Sequence, residues 1–348
     1  MSHHITSRAP LSQAPSPHPH IPHHIFQTWD TAEVSPGMYK AMSSWRDLNP
    51  DWAYHFYSDL DCEQFIANHF EQDVLDAYQQ LIPGAYRADL WRYCVLYLHG
   101  GFYVDAKIQL HMPLTDLLPK NAHCLLIRDR YRKKRQGHDA YIYQAMMAFC
   151  PQHPVLKNTI EQIVAHVNEG YYGYDPLDIT GPSLLGKVVN RSLGRAEKTT
   201  LNPQDYRHPA GSYTILPTHD KPGSILCQNT TIYPGYYEER TRNESNSGYR
   251  LDKDYAACWF RHEVFGHGRV APKPRSSFYL RRYRHFWARQ ICIFYKHNQI
   301  AQARESFRLA CAKGAISFRL VRKLIWYEIQ HAAQMFFKKI KQILNKIA

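Results

Sequence analysis

Two acids, an arginine and a lysine surround a Gly-Gly pair within one short stretch of the chain. Asp89 and Arg92 precede Gly100-Gly101, and Asp105 and Lys107 follow it. Carboxylates hold hard divalent cations through oxygen, and arginine and lysine side chains bind phosphate groups. The stretch therefore has the residue types of a site for a phosphate-bearing ligand.

The elements that must position these residues can be predicted from the same stretch. Apolar residues recur at helical spacing over 85–99 and make one stripe: Leu90, Cys94, Val95 and Leu98. Gly100-Gly101 ends the predicted helix, because glycine adopts positive φ at little cost. The Phe102-Tyr103-Val104 run then predicts a short strand. Asp105 is expected at the end of that strand, where ligands bind in open α/β sheets.

Asp89 and Arg92 are three residues apart, so they share a face of the helix. One alternative is a purely structural ion pair that orients a core helix, with Asp105 as an ordinary turn residue. The order of the glycines, Tyr103 and Asp105 behind the pair favours a binding site.

Four sequence blocks carry a resemblance to a known family. They are IPHHIFQTW at 21–29, Trp45, LNPDW at 48–52 and RADLWRYCVLYLHGGFYVD at 87–105. Over roughly 21–186 the chain resembles the glycosyltransferases of family 32, which carry the so-called DXD sugar-binding region. The resemblance implies an α/β fold of the GT-A type, a Rossmann-like mixed sheet with flanking helices. It also implies transfer of a hexose from a UDP- or GDP-sugar with retention of anomeric configuration. More distantly, the same helix-turn-strand arrangement resembles the large clostridial glucosylating toxins.

The resemblance assigns roles to individual residues. It implies that Trp29 stacks on the nucleotide base and that Asp89 and Arg92 hold the donor's sugar and diphosphate. Asp105 matches the first acid of the DXD motif, which contacts the ribose and the metal shell. Tyr103, in the same block, is expected in the donor pocket.

Lys107 occupies the position of the second acid of that motif. The departing nucleoside diphosphate needs a cation to stabilise its developing charge, usually Mn²⁺ or Mg²⁺ held by carboxylates. Asp105 and Lys107 are two apart on a strand and project to the same side. With one acid left, Mn²⁺ or Mg²⁺ is possible only if another ligand comes from elsewhere in the chain. Alternatively, the Lys107 ammonium replaces the metal, which makes metal dependence doubtful. A further alternative is that Lys107 only pairs with Asp105 and leaves an inactive site.

Further candidates lie later in the chain. Gln144 matches a position where many relatives carry an asparagine near the transferred sugar; alternatively, it is a polar residue at a helix start. Thr180 and Gly181 match the donor pocket, although Thr180 could instead cap a helix. His262, four residues after Cys258, is the candidate for a last metal or diphosphate ligand; its alternative is a structural histidine.

Charge and composition predict three regions. Residues 1–20 are rich in Pro, Ser and His and are expected to be disordered. Residues 21–271 are expected to form the catalytic domain. Residues 272–348 carry 17 Lys or Arg against Glu305 and Glu328, a net charge of +15, while the whole chain is +13. The pattern of this tail predicts basic amphipathic helices. The part around 301–312 is expected to pack on the catalytic domain as one helix of a hairpin.

The tail predicts peripheral contact with an anionic membrane surface. No nucleic acid is expected, because no recognised motif accompanies the charge. The sequence has no uncharged run of 18 or more apolar residues, so no membrane-spanning segment is expected. The cysteines are scattered along the chain and are expected to be reduced thiols. We expect a peripheral enzyme at the cytoplasmic face of a bacterial inner membrane. It is expected to use a glycan or lipid-linked acceptor, in the synthesis of surface polysaccharide or lipopolysaccharide. The alternatives are an effector that glycosylates a host protein, and a degenerate sugar-nucleotide-binding or membrane-docking protein.

Overall fold

The structure is a computed structural model. It describes residues 2–11, 19–81, 84–116, 120–129, 140–171, 176–202, 204–208, 211–216, 230–232, 291–292, 295, 300–312, 321–322 and 324–333.

The described residues form eleven strands and seven named helices. The strands are β1 (His3–His4), β2 (His24–Thr28), β3 (Glu33–Val34), β4 (Ala53–Tyr57), β5 (Gly101–Val104), β6 (Ile108–Leu110), β7 (Cys124–Ile127), β8 (Met146–Phe149), β9 (Gln204–His208), β10 (Gly211–Leu216) and β11 (Thr230–Ile232). The helices are α1 (Pro36–Asp47), α2 (Asp59–His69), α3 (Gln72–Gln80), α4 (Gly84–His99), α5 (Pro154–Asn168), α6 (Pro182–Ser192) and α7 (Ile300–Ala312). Two short 3₁₀ turns lie at Leu114–Asp116 and Pro176–Asp178.

Seven strands form one mixed sheet in the order β4-β2-β5-β8-β7-β10-β9. Strands β4, β2 and β5 run parallel, β8 is antiparallel to both β5 and β7, and β10 is parallel to β7. Helices from the intervening segments flank this sheet. The α/β fold with a mixed sheet and flanking helices, predicted from the sequence, is confirmed.

The helix-turn-strand unit predicted around the Gly-Gly pair is confirmed as α4 and β5. Gly100 and Gly101 both have positive φ, 63° and 94°. A side chain at Gly101 would place its Cβ 2.6 Å from the His24 carbonyl oxygen of β2. Glycine therefore both ends the helix and lets β5 lie close to its neighbour.

One face of the sheet is covered by α1 and the residues around it. Trp45 and Trp52 are almost fully buried there, together with Phe102 and Val104 of β5. The indole nitrogen of Trp45 donates a 2.6 Å hydrogen bond to the Ile108 carbonyl. This contact fixes α1 against the segment that directly follows Asp105.

The expectation of disorder over residues 1–20 is wrong for residues 2–11. The short strand β1 pairs with β3, and Ile5 is buried in the core. Arg8 forms an antiparallel bridge with Tyr54 of β4, and its guanidinium donates to the Arg46 carbonyl at 2.6 Å. One buried isoleucine and the unpaired edge of β4 supply partners that polar composition alone does not reveal.

The chain divides into two compact units, residues 1–243 and 244–348. In the second unit, α7 and the helical residues 324–333 are described. None of the helices in the described residues has the length and apolar character needed to cross a membrane. The division at 271 and 272 stays a prediction.

Candidate active site

Arg92 links the two acids that the sequence singled out. Its Nη2 lies 3.0 Å from Oδ1 of Asp89, and its Nη1 lies 3.5 Å from Oδ1 of Asp105. Both acids share this cation because α4 and β5 meet at the Gly-Gly turn and return the chain alongside itself. The structure thus brings together Asp89, Arg92 and Asp105, as the sequence predicted.

Further contacts hold the Arg92 guanidinium in place. Nη1 donates to the Gln144 carbonyl at 2.9 Å, and Nε donates to the Ala88 carbonyl at 3.1 Å. The guanidinium carbon lies 4.4 Å from the centre of the Tyr103 ring, within the range of a cation–π contact. With its side chain only 6% exposed, Arg92 is a fixed internal cation.

Asp89 accepts hydrogen bonds from three segments of the chain. Besides Arg92, it receives Nε2 of Gln144 on Oδ1 and the Thr180 hydroxyl on Oδ2, the latter at 2.8 Å. Burial raises the pKa of Asp89 to about 6, against the opposing effect of Arg92 and these donors. Asp89 is therefore ionised near neutral pH, with its oxygens directed at the protein's own donors.

Tyr93 completes this buried network, and the sequence analysis missed it. Its hydroxyl lies 2.6 Å from Oε1 of Gln144 and 3.1 Å from the Thr180 carbonyl. The only signal in the sequence was an aromatic residue with a polar tip one helical turn after Asp89. Its role depends on segments 51 and 87 residues away, which a local pattern cannot indicate.

Asp105 and Lys107 form the more accessible part of the site. The Tyr103 hydroxyl donates to Oδ1 of Asp105 at 2.9 Å, and the Lys107 ammonium donates to Oδ2. Burial by itself would raise the pKa of Asp105, but the charges of Lys107 and Arg92 and these hydrogen bonds hold it below its usual value. The side chains of Asp105 and Lys107 are 18% and 22% exposed, against 8% and 6% for Asp89 and Arg92.

The charges of these four groups cancel, since two carboxylates face two cations. An acid at position 107 would make the same set −2 (three negative charges and one positive), whereas Lys107 makes it 0. An anionic ligand would meet Lys107 first, because Arg92 lies deeper in the protein. The arrangement therefore suits a phosphate group better than a free divalent cation.

The described residues do not fit the metal ion that the resemblance implies. Nowhere in the described parts of the chain do three His, Cys, Asp or Glu side chains gather as metal ligands would. Asp105 has one oxygen on Tyr103 and the other on Lys107, so a metal would have to displace an ammonium of like charge. His262 and Cys258 lie outside the described residues, and their assignment stays a prediction.

Trp29 lies at the same edge of the sheet as Asp105. It directly follows β2, as Asp105 directly follows the parallel strand β5, with Phe26 paired to Tyr103. Its side chain is partly buried against the core, and its backbone N–H donates to the Tyr57 carbonyl at 3.2 Å. Its expected stacking on a nucleotide base stays a prediction.

Two structural alternatives from the sequence are corrected. Gln144 does not start a helix: it lies in the turn before β8, and its amide reaches Asp89. Thr180 does not cap α6, because Gly181 holds the N-cap position and Pro182 the first turn. The Thr180 hydroxyl is used on Asp89 instead.

A buried ion pair anchors the loop that carries Thr180. Asp178 is 1% exposed and lies 2.5 Å from the Lys187 ammonium of α6. It also accepts from the Tyr171 hydroxyl at 2.9 Å and the Ser183 hydroxyl at 3.2 Å. Thr180 is thus held from the side of α6 as well as through Asp89.

Comparison with known proteins identifies the family of this region. The model of the family described as "Glycosyltransferase sugar-binding region containing DXD motif" matches residues 36–123. Inositol phosphoceramide mannosyltransferase 2 of Schizosaccharomyces pombe is 39% identical over 206 residues, covering 56% of this chain and 56% of that protein. Inositol phosphoceramide mannosyltransferase 3 of the same yeast is 29% identical over 180 residues, covering 51% of this chain and 48% of that protein.

The chain thus spans about half the length of these curated relatives. A solved structure, PaToxG Glycosyltransferase, aligns with 50% of this chain over 70% of its own length, with a TM-score of 0.40 and 16% sequence identity. The family match covers α1 to the residue before β7 and includes the whole helix-turn-strand unit. Residues 36–123 therefore match the family of glycosyltransferase sugar-binding regions, which confirms the resemblance found in the sequence blocks.

Proposed function

We propose that this chain transfers a hexose from a nucleoside-diphosphate sugar to a glycan or lipid-linked acceptor. The observation that carries the proposal is the position of the Lys107 ammonium. It contacts Asp105 just after β5, within the region that matches the model of a sugar-binding family. Arg92 behind Asp105 keeps that carboxylate ionised and fixed, so Asp105 can accept hydrogen bonds from donor hydroxyls.

In the proposed reaction, an acceptor hydroxyl attacks the anomeric carbon while the bond from that carbon to the diphosphate oxygen breaks. The electron pair of the broken bond stays on the diphosphate, and the leaving phosphate oxygen takes the acceptor's proton. Attack on the face that the diphosphate leaves gives retention, as the resemblance implies. Lys107 stabilises the charge that develops on the diphosphate.

We further propose that a metal ion is not required for this step. With lysine instead of an acid at position 107, the net charge of the four groups is more positive by two. The Lys107 ammonium is then the cation that faces the diphosphate. Lysine binds phosphate as a point charge and needs no ligand shell. Mn²⁺ or Mg²⁺ would then have little effect on turnover.

The acceptor is proposed from the named relatives and from the tail. The two yeast relatives are named as mannosyltransferases for inositol phosphoceramide, so a mannose donor and a phosphate-bearing lipid acceptor are the first to test. The net charge of +15 over residues 272–348 supports contact with an anionic membrane surface. A location at the cytoplasmic face of an inner membrane, and a role in surface polysaccharide synthesis, belong to the same proposal.

The test is release of nucleoside diphosphate from a panel of UDP- and GDP-hexoses, with Mn²⁺ and with EDTA. We expect one donor to be cleaved at comparable rates under both conditions. Lys107→Ala should reduce that rate by about 100-fold or more, the usual cost of losing one preorganised charge at a leaving group. The matched control is Lys157→Ala, which removes a lysine of α5 whose side chain is 60% exposed and should leave the rate unchanged.

A binding measurement distinguishes an active transferase from a degenerate protein that only binds sugar nucleotides. The contact between Lys107 and Asp105 is compatible with both. A catalytically degenerate protein would bind UDP or GDP in calorimetry without cleaving any donor in the presence of candidate acceptors. Absence of both binding and cleavage would overturn the assignment of the site.

A further inference from the structure

The second unit contains a helix hairpin whose inner contacts are well defined. Arg304 of α7 forms two hydrogen bonds with Glu328, from Nε at 2.9 Å and from Nη2 at 2.8 Å. The Tyr295 hydroxyl donates to the same carboxylate, and the Tyr295 and Tyr327 rings stack at 5.3 Å. Leu324 is buried, only 6% exposed. These contacts define the packed side of the helical residues 324–333.

The opposite side of this helix is apolar and exposed. Ile325, Trp326 and Ile329 are 56%, 55% and 60% exposed. At about 100° per residue they fall within about one quadrant of the helix, away from Leu324 and Glu328. We call these three residues the outer apolar face.

Such a cluster is unusual on the described surface of this chain. The large hydrophobic side chains found exposed there are the outer apolar face and two isolated leucines, Leu11 and Leu60. Isolated exposed apolar residues are ordinary, whereas a contiguous group marks an interaction surface. Three neighbours within five residues of one helix therefore call for a partner.

The charge around the face decides which partner fits. The tail's two acids are both neutralised by arginines of the hairpin, Glu328 by Arg304 and Glu305 by Arg308 at 2.7 Å. Beyond these two pairs, the tail keeps a net charge of +15, which favours an anionic partner. Arg322, three residues before Ile325 in the chain, is also exposed. A partner must therefore be anionic and must also accept isoleucine side chains.

We propose that the outer apolar face inserts into the boundary between headgroups and acyl chains of an anionic lipid bilayer. Tryptophan and isoleucine enter the apolar layer, while Arg322 and the other cations remain at the phosphates. A nucleic acid offers phosphates but no apolar layer for two isoleucines. This inference deepens the membrane contact that forms part of the proposed function and assigns it to particular side chains.

The experiment is co-sedimentation of the full chain with phosphatidylcholine vesicles that contain or lack phosphatidylglycerol. We expect strong binding only with phosphatidylglycerol, and weaker binding as salt is raised. The triple variant Ile325→Ser, Trp326→Ser, Ile329→Ser should bind about tenfold more weakly or worse, because its apolar burial is lost. Leu60→Ser removes an equally exposed apolar residue from α2 and should bind like the wild type.

A second measurement keeps the test decisive if the triple variant folds poorly. Brominated acyl chains should quench part of the wild-type tryptophan fluorescence, and Trp326→Phe should lose that part. Equal quenching in both, equal sedimentation of a folded triple variant, or displacement from vesicles by duplex DNA would each overturn the proposal. Lys107→Ala should leave vesicle binding unchanged, so failure of the glycosyl transfer proposal would be seen separately.

Discussion

The Thr180 hydroxyl donates a 2.8 Å hydrogen bond to Oδ2 of Asp89, although the two residues are 91 positions apart in the chain. Thr180 is fully buried, and its carbonyl accepts from Tyr93. Through this pair the loop before α6 determines how the Asp89 carboxylate faces Arg92. The site is therefore built from three distant segments that meet at one buried acid.

Replacing Thr180 by valine should destabilise the protein and weaken donor binding. Valine has nearly the same shape but leaves a buried carboxylate without one donor, which costs about 1–3 kcal/mol. Urea unfolding and nucleotide titration measure the two effects. Thr180→Ser keeps the hydroxyl and is expected to bind donor like the wild type. Equal stability of the valine and wild-type proteins would show that the hydrogen bond contributes nothing.

The contribution of the Asp89 carboxyl to the free energy of unfolding should decrease as pH rises. Its pKa is about 6, raised from 3.8 by burial, so the folded state holds the proton more tightly than the unfolded state. The stabilising contribution is fully present below the unfolded pKa and is lost as pH rises through the folded one. The free energy of unfolding of the wild type minus that of Asp89→Asn should therefore decrease by up to about 3 kcal/mol from about pH 4 to about pH 7.

Denaturant midpoints across this pH range measure that difference, and Asp51→Asn at an exposed turn position is the control. A difference that is flat with pH would mean that Asp89 titrates near its ordinary value. A difference that grows with pH would mean that Arg92 outweighs burial.

A pair of neighbouring histidines on β2 and β4, His24 and His55, should make the protein less stable as pH falls, which is opposite to the effect of Asp89. His24 Nδ1 lies 2.9 Å from His55 Nε2, and burial lowers the pKa of His55 to about 4 and that of His24 below its usual value. Since these folded-state pKa values are depressed, the stabilising contribution is present above the unfolded pKa and is lost as pH falls through the folded one. We expect His55→Phe, which can keep the ring contact with Phe26, to lose less stability than the wild type between about pH 7 and about pH 4.

Thermal melts at both ends of that range measure the effect, with exposed His111→Asn as the control. If the His55→Phe and wild-type proteins lose stability equally on acidification, the histidine pair is not the source of the acid sensitivity.

If the site works without a metal ion, as proposed, Lys107→Asp should make it metal-dependent. The substitution creates a second carboxylate two residues after Asp105 and changes the charge of the four groups from 0 to −2, which suits Mn²⁺. Donor cleavage by this variant is expected to be negligible in EDTA and to be restored in part by Mn²⁺. Wild-type activity that EDTA abolishes and Mn²⁺ restores would contradict the proposed role of Lys107.

Local patterns predicted the parts of the fold that depend on neighbours in the chain. The apolar stripe, the two glycines and the aromatic run gave α4 and β5 almost to the residue, and with them the contact of Arg92 with Asp89. The contacts of Gln144 and Thr180 with Asp89 span 55 and 91 residues. They depend on how the segment before α6 and the turn before β8 meet α4, which residue spacing cannot indicate.

The N-terminal segment was misjudged for a related reason. Its Pro, Ser and His content resembles a disordered chain. Within residues 2–11, Ile5 is the one residue buried in the core, and one residue leaves no periodic pattern. The backbone N–H and carbonyl of Arg8 nonetheless pair with those of Tyr54 at 2.7 and 2.8 Å.

That pairing also shields the molecule from self-association. Strand β4 is the end strand of the seven-stranded sheet, and an open strand edge recruits strands from other molecules. Residues 2–11 occupy part of that edge and bury Ile5 beside it. A truncation that removes these residues would expose both the strand edge and the core around Ile5, so we expect shortened forms of the chain to aggregate.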